Sequence, residues 1–279
     1  MKCYPIDTGY FKLDGGAMFG VVPQSIWKKT NTPDANNLCS WAMRCLLIEE
    51  GDKLILIDTG IGAKQDATFL KHYHLHGDGN LIDSIRKAGF TEDEVTDVII
   101  THLHLDHVGG ATQFKVGGNH EIVPTFANAK YWIHEGHWNW ATINPNPREK
   151  ASFLTANLIP LKESGQLYFI DEKASPFTFI DFFIADGHTE KQLIPIIKTP
   201  DQTIAYAADL IPSVSHIPLA YVASYDVRPL LAMEEKERFL KQALAGDWTL
   251  FFEHDPFYSS TKLLLTEKGI RSNKESLTS

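Results

Sequence analysis

Three histidines and an aspartate fall within six residues of the sequence, directly after an apolar run. The run Val98–Ile100 leads into Thr-His-Leu-His-Leu-Asp-His at residues 101–107, and a Gly-Gly pair follows closely. His102, His104 and Asp106 occupy alternate positions, so an extended chain would project all three to one side. Imidazole and carboxylate groups are the ligands that zinc and related first-row metals take in proteins. This stretch therefore predicts a metal site at the end of a buried strand.

Size and charge limit the class of protein. The chain has 279 residues, 43% of them hydrophobic, which suffices for a single domain over residues 1–279 with a buried core. The net charge of −9 argues against a nucleic-acid backbone or an anionic membrane as the main partner. Three cysteines without a CxxC pair predict reduced thiols. Because the first residues lack an apolar signal segment and no run of about 18 apolar residues occurs, we expect a cytoplasmic protein.

Strands and helices alternate along the sequence, which indicates an α/β fold. Apolar runs bounded by turn residues predict the strands, and helical spacing with capping residues predicts the helices. The predicted strands include residues 4–13, 17–22, 42–49, 53–58, 129–133, 177–185, 191–198, 203–207 and 249–252, and the predicted helices include 80–87 and 233–245. Such a βαβ order places functional residues at the carboxyl ends of the strands.

Four further acidic or histidine side chains follow predicted strands. Asp58 ends the strand 53–58, and each of the later apolar strands is followed by one of His188, Asp209 and His254. Asp58 has two interpretations: it begins a turn, or it orients a metal-bound histidine by accepting the second ring N–H. We favour the second interpretation because the histidine cluster follows Asp58 in the sequence.

Five other histidines have weaker patterns. His72, His74 and His76 alternate as ligands do, but they precede a flexible Gly-Asp-Gly-Asn stretch, so we expect a surface loop. His134 and His137 share one face of a predicted helix. That spacing leaves a ligand role open for the pair, although a structural role is favoured.

Two segments are candidates for a cover over the site or for a dimer contact. Residues 16–40 are long and irregular for a plain connection. Within residues 134–165, the stretches with helical spacing are only weakly amphipathic. Apolar side chains of the first segment either wall a substrate pocket or cap the core, and both interpretations stay open, whereas those of the second are expected to line the site. The candidates for the pocket wall are Met18, Phe19, Trp27 and Trp138.

The order of these residues resembles the metallo-β-lactamase superfamily over nearly the whole length of the chain. The HxHxDH box, the later Gly-His-Thr, the Asp after a strand and the final His follow the order and approximate spacing of that family. The resemblance implies an αβ/βα sandwich, an α/β fold of four layers, with the site at one edge of both sheets. It also implies one metal on His102, His104 and His188, a second on Asp106, His107 and His254, Asp209 bridging the two, and Asp58 behind the ligands.

The implied ligand set suits two zinc ions, and other divalent metals would fit as well. Five neutral histidines and two aspartates carry −2, so two ions at +4 leave a net +2, which favours an anionic transition state. Two ions about 3.5–4 Å apart can share a water and lower its pKa toward about 7, which predicts a bridging hydroxide as the nucleophile. We expect Asp106 to act in catalysis as well as in metal binding.

Within the superfamily, the chain looks most like the branch of N-acyl-homoserine lactonases and methyl parathion hydrolases. The sequences that carry this resemblance are Asp-Leu-Ile-Pro at 209–212, Gly-Gly-Ala-Met-Phe-Gly-Val-Val-Pro at 15–23 and Glu-His-Asp-Pro at 253–256. The better-known lactonases carry a Tyr three residues beyond the bridging Asp, where it assists at the carbonyl, and this chain has Pro212 there. We expect Tyr221, Tyr225 or His216 to serve from a nearby loop.

The sequence therefore predicts a dinuclear zinc-dependent hydrolase that opens an ester or lactone in a small molecule. The best single substrate is an N-acyl-homoserine lactone, which would make the protein a quorum-quenching enzyme. Two alternatives stay open: hydrolysis of an organophosphate triester with the same metals, and a non-hydrolytic di-iron metalloprotein. We also expect a homodimer through residues 16–40.

Overall fold

The computed structural model describes residues 1–118, 120–172 and 174–278. The chain divides into two compact units. The first unit comprises Met1–Gly9 and Met43–Ala174, and the second comprises Tyr10–Ala42 and Ser175–Ser279. The single domain expected over residues 1–279 stays a prediction.

The described residues form strands, α-helices and short 3-10 helices. The strands are β1 (Lys2–Asp14), β2 (Leu38–Glu50), β3 (Lys53–Ile57), β4 (Asp97–Ile99), β5 (Thr112–Phe114), β6 (Ile122–Pro124), β7 (Lys130–His134), β8 (Leu167–Ile170), β9 (Ile180–Ala185), β10 (Gln192–Lys198), β11 (Thr203–Tyr206), β12 (Thr249–Phe251), β13 (Ser260–Thr266) and β14 (Gly269–Ser272). The helices are α1 (Gly15–Phe19), α2 (Gln24–Trp27), α3 (Ala67–Lys71), α4 (Leu81–Lys87), α5 (Leu105–Val108), α6 (Glu135–Ile143), α7 (Thr155–Glu163) and α8 (Pro229–Ala245). Short 3-10 helices lie at Glu92–Glu94, Gly109–Ala111, Lys150–Ser152, Ala208–Leu210, Val214–His216 and Lys274–Ser276.

One six-stranded sheet has the order β1-β2-β3-β4-β7-β8, and its last four strands lie wholly within the first unit. Strands β2 and β3 are antiparallel, whereas β3, β4, β7 and β8 are parallel. Every residue of β4 is buried, as expected for a strand inside a parallel sheet. Because β3 and β4 run in the same direction, Asp58 and Thr101 follow them at the same edge of the sheet.

The second six-stranded sheet has the order β14-β13-β12-β11-β10-β9 and lies in the second unit. Strands β11 and β12 are parallel, and the other neighbouring pairs are antiparallel. Helix α8 packs Phe239 against Phe183 of β9, with ring centroids 5.4 Å apart. Strands and helices alternate along the chain, and the strands form two six-stranded sheets. This confirms the predicted α/β class.

Several local predictions are confirmed. The strands predicted at residues 42–49 and 53–58 are present as β2 and β3, which form a hairpin. The helix predicted at residues 80–87 is present as α4, where the side chain of Asn80 accepts the first backbone N–H groups, and Thr91 and Glu94 form a capping box on the next turn. Helix α8 begins earlier than expected, at Pro229, because proline suits the first helical turn, where backbone N–H groups lack helical partners. Across the described part of the chain, none of the helices has the length and apolar character that crossing a membrane requires.

The strand expected at residues 17–22 is wrong. Helix α1 forms there instead, because Asp14 accepts the backbone N–H of Ala17 and caps a helix at this point. Gly20 follows with φ of 57°, a left-handed conformation that strands do not use. After β12, the last strand predicted from the sequence, β13 and β14 follow as a hairpin. The first five residues of β13 alternate between half-buried and buried, a weaker signal than a continuous apolar run.

Candidate metal centre

Two ring nitrogens of the histidine box face each other in the first unit. His102 follows β4, and His104 directly precedes α5. The two histidines approach each other through His102 Nε2 and His104 Nδ1, which lie 3.0 Å apart. Asp106 and His107 come from α5, and His107 Nε2 lies 3.9 Å from Asp106 Oδ2. Because His102 and His107 are fully buried, each of these polar groups needs a partner.

Asp58 orients two of these histidines from behind. Its carboxylate accepts the backbone N–H of Thr101 at 2.8 Å and the Thr101 hydroxyl at 2.7 Å. It also lies 3.0 Å from His107 Nδ1, so that nitrogen carries the proton. Since the Thr101 hydroxyl donates to Asp58, it accepts from His102 Nδ1, 3.1 Å away. The ring lone pairs of His102 and His107 are therefore on Nε2.

Glu149, which was not predicted from the sequence, sets the tautomer of His104. Glu149 is 3% exposed, and its Oε2 lies 3.0 Å from His104 Nε2. Trp140 Nε1 and Asn146 Nδ2 donate to the other carboxylate oxygen at 2.5 and 2.7 Å. His104 consequently donates from Nε2 and carries its lone pair on Nδ1. Glu149 lies in a segment without clear periodicity, so the sequence offers no local signal for this contact.

The first unit thus aims two acceptor lone pairs, on His102 Nε2 and His104 Nδ1, at each other. Two acceptors 3.0 Å apart repel unless a proton or a metal ion lies between them. Zinc–nitrogen bonds are about 2.0–2.1 Å long, so both nitrogens can reach one ion. The residues of this unit fit a metal ion in ligand type, burial and tautomer.

The second unit carries its own set of ligand side chains, each after a strand. His188 follows β9, Asp209 follows β11, and His254 follows β12. His188 Nδ1 donates to Asp226 Oδ1 at 2.8 Å, and His254 Nδ1 donates to the carbonyl of Ala42 at 2.7 Å. Both histidines therefore carry their lone pair on Nε2.

Asp209 presents one carboxylate oxygen to each of the two histidines. Oδ2 lies 3.2 Å from His188 Nε2, and Oδ1 lies 3.0 Å from His254 Nε2. Each contact again opposes an acceptor to an acceptor, so each fits a cation between them. A carboxylate that meets two cation positions in this way has the arrangement of a bridging ligand.

Helix α8 fixes the loop that carries His188. Glu235 accepts the backbone N–H groups of Asp186 and Gly187, each at 2.9 Å, and burial raises the pKa of the Glu235 carboxyl. A Cβ at Gly187 would overlap the Cα and the backbone nitrogen of Ala232. Only glycine allows the helix to approach the loop this closely, which explains the residue before His188.

His216, a predicted catalytic residue, is buried and bonded at both ring nitrogens. Nδ1 lies 2.7 Å from Ser213 Oγ, and Nε2 lies 2.9 Å from the carbonyl of Met18. The ring stacks on Phe19, with centroids 4.6 Å apart. Burial lowers the pKa of His216 to about 3, so the imidazole is neutral at physiological pH. These contacts favour a packing role, and the catalytic role stays a prediction.

Tyr221, the other predicted replacement at the carbonyl, is half-buried in the second unit. Its ring meets Phe19 edge-on, with centroids 6.2 Å apart. A cavity of about 10 Å³ is lined by both Tyr221 and Asp209, which leaves space for about one water molecule. His216 lines the same cavity, but both of its ring nitrogens are already hydrogen-bonded. Tyr225 is exposed.

The predicted pocket residues lie in the cores of their units. Met18 and Trp138 are each 4% exposed, Trp27 is 1% exposed and Phe19 is fully buried. Phe19 stacks on Trp27 with centroids 5.3 Å apart, and Trp138 belongs to the hydrophobic cluster of the first unit. The structure therefore favours core packing for all four, because side chains that fill a close-packed interior have little surface left for a substrate.

Two further side chains of the first unit bear on the ligand box. His137 Nε2 accepts the backbone N–H of Leu103 at 2.8 Å, which gives this histidine a structural role between two ligands. Burial and the nearby charge of Asp106 raise the pKa of Tyr73, a residue the sequence analysis did not single out. The neighbouring histidines 72, 74 and 76 are exposed, as expected for a surface loop.

Comparison with known proteins identifies the family. Residues 44–254 match the model of the metallo-β-lactamase superfamily. A probable metal-dependent hydrolase from Staphylococcus aureus has a similar structure, with 25% identity, a TM-score of 0.86, and 98% of this chain and 97% of that chain covered. The dizinc quorum-quenching lactonase AidC, in complex with a product, has 24% identity and a TM-score of 0.81, with 99% and 95% covered. An N-acyl homoserine lactone hydrolase with N-hexanoyl-L-homoserine bound at its catalytic metal centre has 18% identity and a TM-score of 0.68, with 91% and 93% covered. A search of curated proteins found no match. The chain belongs to the metallo-β-lactamase superfamily.

Proposed function

We propose that this protein is a dinuclear zinc-dependent hydrolase that opens the lactone or ester bond of a small molecule. The observation that carries the proposal is the carboxylate of Asp209, whose two oxygens face the lone pairs of two different histidines at 3.2 and 3.0 Å. A bridging ligand requires this arrangement, and a site for a single ion does not. The proposed ligands are His102, His104 and His188 for one ion, Asp106, His107 and His254 for the other, and Asp209 for both.

Two divalent ions supply Lewis acidity at an electrophilic oxygen and an activated water near neutral pH. The part of the protein is to hold each imidazole in one tautomer and one orientation. The outer ring nitrogens do this through hydrogen bonds to Thr101, Glu149, Asp58, Asp226 and the carbonyl of Ala42. Ligands that are held in this way need no reorientation when they bind a metal.

The net charge of the ligand set would suit a reaction with an anionic transition state. With two divalent ions, five neutral histidines and two aspartates would leave a net charge of +2, which would favour the negative charge that develops during attack on an ester, a lactone or a phosphotriester. The fold is similar to that of a dizinc lactonase and of an N-acyl homoserine lactone hydrolase. We take N-acyl-homoserine lactone as the best single substrate and cytoplasmic quorum quenching as the role. Tyr221 is the proposed aid at the carbonyl, because it lines a small cavity with Asp209, whereas His216 in the same cavity is hydrogen-bonded at both ring nitrogens.

Proton release in a pH-stat with an N-acyl-homoserine lactone, beside a chromogenic phosphotriester assay, tests the substrate class. We expect proton release with the lactone, and metal analysis should find about two zinc ions per chain, as a dinuclear site requires. Turnover of the phosphotriester alone would overturn the lactonase proposal. If the protein instead contains iron, shows a visible absorption band and hydrolyses no ester, the proposal of a hydrolase would be overturned.

Two variants with a matched control test the ligand roles. His102→Ala and Asp209→Ala should remove bound metal and activity together, because each deletes a proposed ligand. His74→Ala, which changes an exposed histidine, should leave both unchanged. Retained metal and activity in Asp209→Ala would contradict the bridging assignment.

A further inference from the structure

A second cavity lies in the second unit, and none of the proposed metal ligands lines it. Its volume is about 690 Å³, and it is enclosed by α8, the segment 217–221 and the hairpin of β13 and β14. Small-molecule sites in proteins are typically concave cavities of about 300–1,000 Å³ with mostly apolar walls and a few polar groups. This cavity has the size of such a site.

The lining becomes more apolar with depth. Ile217 and Leu240 are each 1% exposed and form the floor. Leu244 and Ile270 are half-buried on the walls, and Leu265, 71% exposed, stands at the mouth. A continuous apolar wall from floor to mouth suits an extended alkyl chain, since each buried methylene then leaves water.

The charged groups at the mouth are mostly positive. Lys241, Lys268 and Arg271 line the cavity together with Glu237. Lys241 pairs with Glu237 at 2.7 Å, and the two charges cancel. The net positive charge of the lining therefore comes from Lys268 and Arg271. Arg271 donates one hydrogen bond, from Nη1 to the carbonyl of Ile270 at 2.6 Å, and a guanidinium has further N–H donors in a fork that suits a carboxylate. A positive mouth on a chain of net charge −9 selects for an anion.

The segment 217–221 is held in place by a buried lysine. Lys236 of α8 is 1% exposed, and its ammonium donates to the carbonyls of His216, Pro218 and Tyr221 at 3.0, 3.2 and 2.8 Å. These three bonds fix one wall of the cavity before any ligand arrives. A wall that is already ordered lowers the entropic cost of binding.

We propose that this cavity binds one molecule of a monomeric alkyl carboxylate, that is, a medium-chain fatty acid. The alkyl chain lies along Ile217, Leu240 and Leu244, and the carboxylate meets Arg271 and Lys268 at the mouth. The cavity shares Tyr221 with the proposed hydrolysis but none of the proposed metal ligands, so ligand binding here can be measured apart from hydrolysis.

Isothermal titration of the zinc-loaded protein with hexanoate, octanoate and decanoate tests the proposal. Affinity should rise about fourfold with each methylene, from about 0.8 kcal/mol for each buried CH₂. Decanol should bind more weakly than decanoate, and decyltrimethylammonium more weakly still. Equal binding of all three head groups, or binding to anionic vesicles in place of the monomeric carboxylate, would overturn the proposal.

Variants locate the binding site. Leu244→Glu should abolish decanoate binding, since it places a carboxylate in the apolar wall, and Arg271→Glu should weaken it. Leu230→Glu is the matched control, because Leu230 is 73% exposed at the other end of α8 and should leave affinity unchanged. Decanoate that still binds to folded Leu244→Glu occupies the metal centre or another surface, and that result would overturn the assignment. Binding that persists in Asp209→Ala would support the cavity even if the proposed hydrolysis failed.

Discussion

Replacing Glu149 by Gln tests whether the tautomer of His104 is set from outside the metal centre. The carboxylate accepts hydrogen bonds from His104 at 3.0 Å, Trp140 at 2.5 Å and Asn146 at 2.7 Å. A glutamine amide has only one oxygen. If that oxygen takes the position of the carboxylate oxygen to which Trp140 and Asn146 both donate, these two hydrogen bonds are kept. The amide NH₂ then points at His104 Nε2, and two donors oppose each other.

His104 can relieve this conflict by moving its proton from Nε2 to Nδ1. Nδ1 is the nitrogen that faces His102 Nε2, so the ring then presents an N–H where a metal ligand needs a lone pair. An unsatisfied buried donor costs about 1–3 kcal/mol, and 1.4 kcal/mol corresponds to a factor of ten in affinity. We therefore expect zinc affinity to fall about 10–100-fold, in the range seen for groups that orient metal ligands.

Competition with a chelator of known zinc affinity measures this loss directly. Glu163→Gln changes an exposed glutamate on α7 in the same way and should keep the affinity of the wild type. Thermal unfolding of the metal-free proteins shows whether the Glu149→Gln variant folds normally. An unchanged zinc affinity in a folded variant would refute the reasoning, because the tautomer of His104 would then not depend on Glu149.

Three further outcomes follow from the second unit. Gly187→Ala should lower the free energy of unfolding by about 1–3 kcal/mol, because its Cβ would overlap the backbone of Ala232, and an unchanged urea midpoint would contradict this close approach. Burial lowers the pKa of Lys236 from 10.5 to about 8, so between those values the unfolded chain binds more protons and the free energy of unfolding rises with pH. In urea titrations at about pH 8 and pH 10, the free energy of unfolding should therefore rise less with pH in Lys236→Met than in the wild type, and an identical rise in both proteins would contradict this. If residues 16–40 form the expected homodimer contact, Val21→Glu, at a side chain that is 91% exposed, should give monomers in light scattering, and a monomeric wild type would contradict the contact.

The sequence marks each proposed ligand locally. His102, His104 and Asp106 stand in one dense box, and the later ligands each follow an apolar strand. A strand end is visible in a sequence, since the apolar run stops there and a polar residue begins. The resemblance to the metallo-β-lactamase superfamily then supplies the order in which the proposed ligands occur along the chain.

The groups that orient the ligands are mostly invisible in the sequence. Glu149 and Asp226 lie in segments without periodicity, and their partners, His104 and His188, are 45 and 38 residues away. Only tertiary folding brings such pairs together. Asp58 is the exception, because it stands at the end of a strand whose neighbour leads into the histidine box.

Apolar side chains are the hardest part of the sequence to interpret. Phe19 and Trp138 have the character of pocket walls, yet hydrophobicity does not distinguish a wall from a core. The segment after Asp14 reads as a strand by composition, and the side-chain cap of Asp14 makes it a helix. A single hydrogen bond of this kind outweighs a short propensity signal.

The orientation of His254 depends on the main chain, and this has a consequence for heritable variation. Its Nδ1 donates to the carbonyl of residue 42, and every amino acid supplies that carbonyl. By contrast, a single codon change can delete the carboxylate that orients His104, His107 or His188. Random substitutions should therefore disturb those three ligands more often than His254, and sequence drift should spare the support of His254 longest.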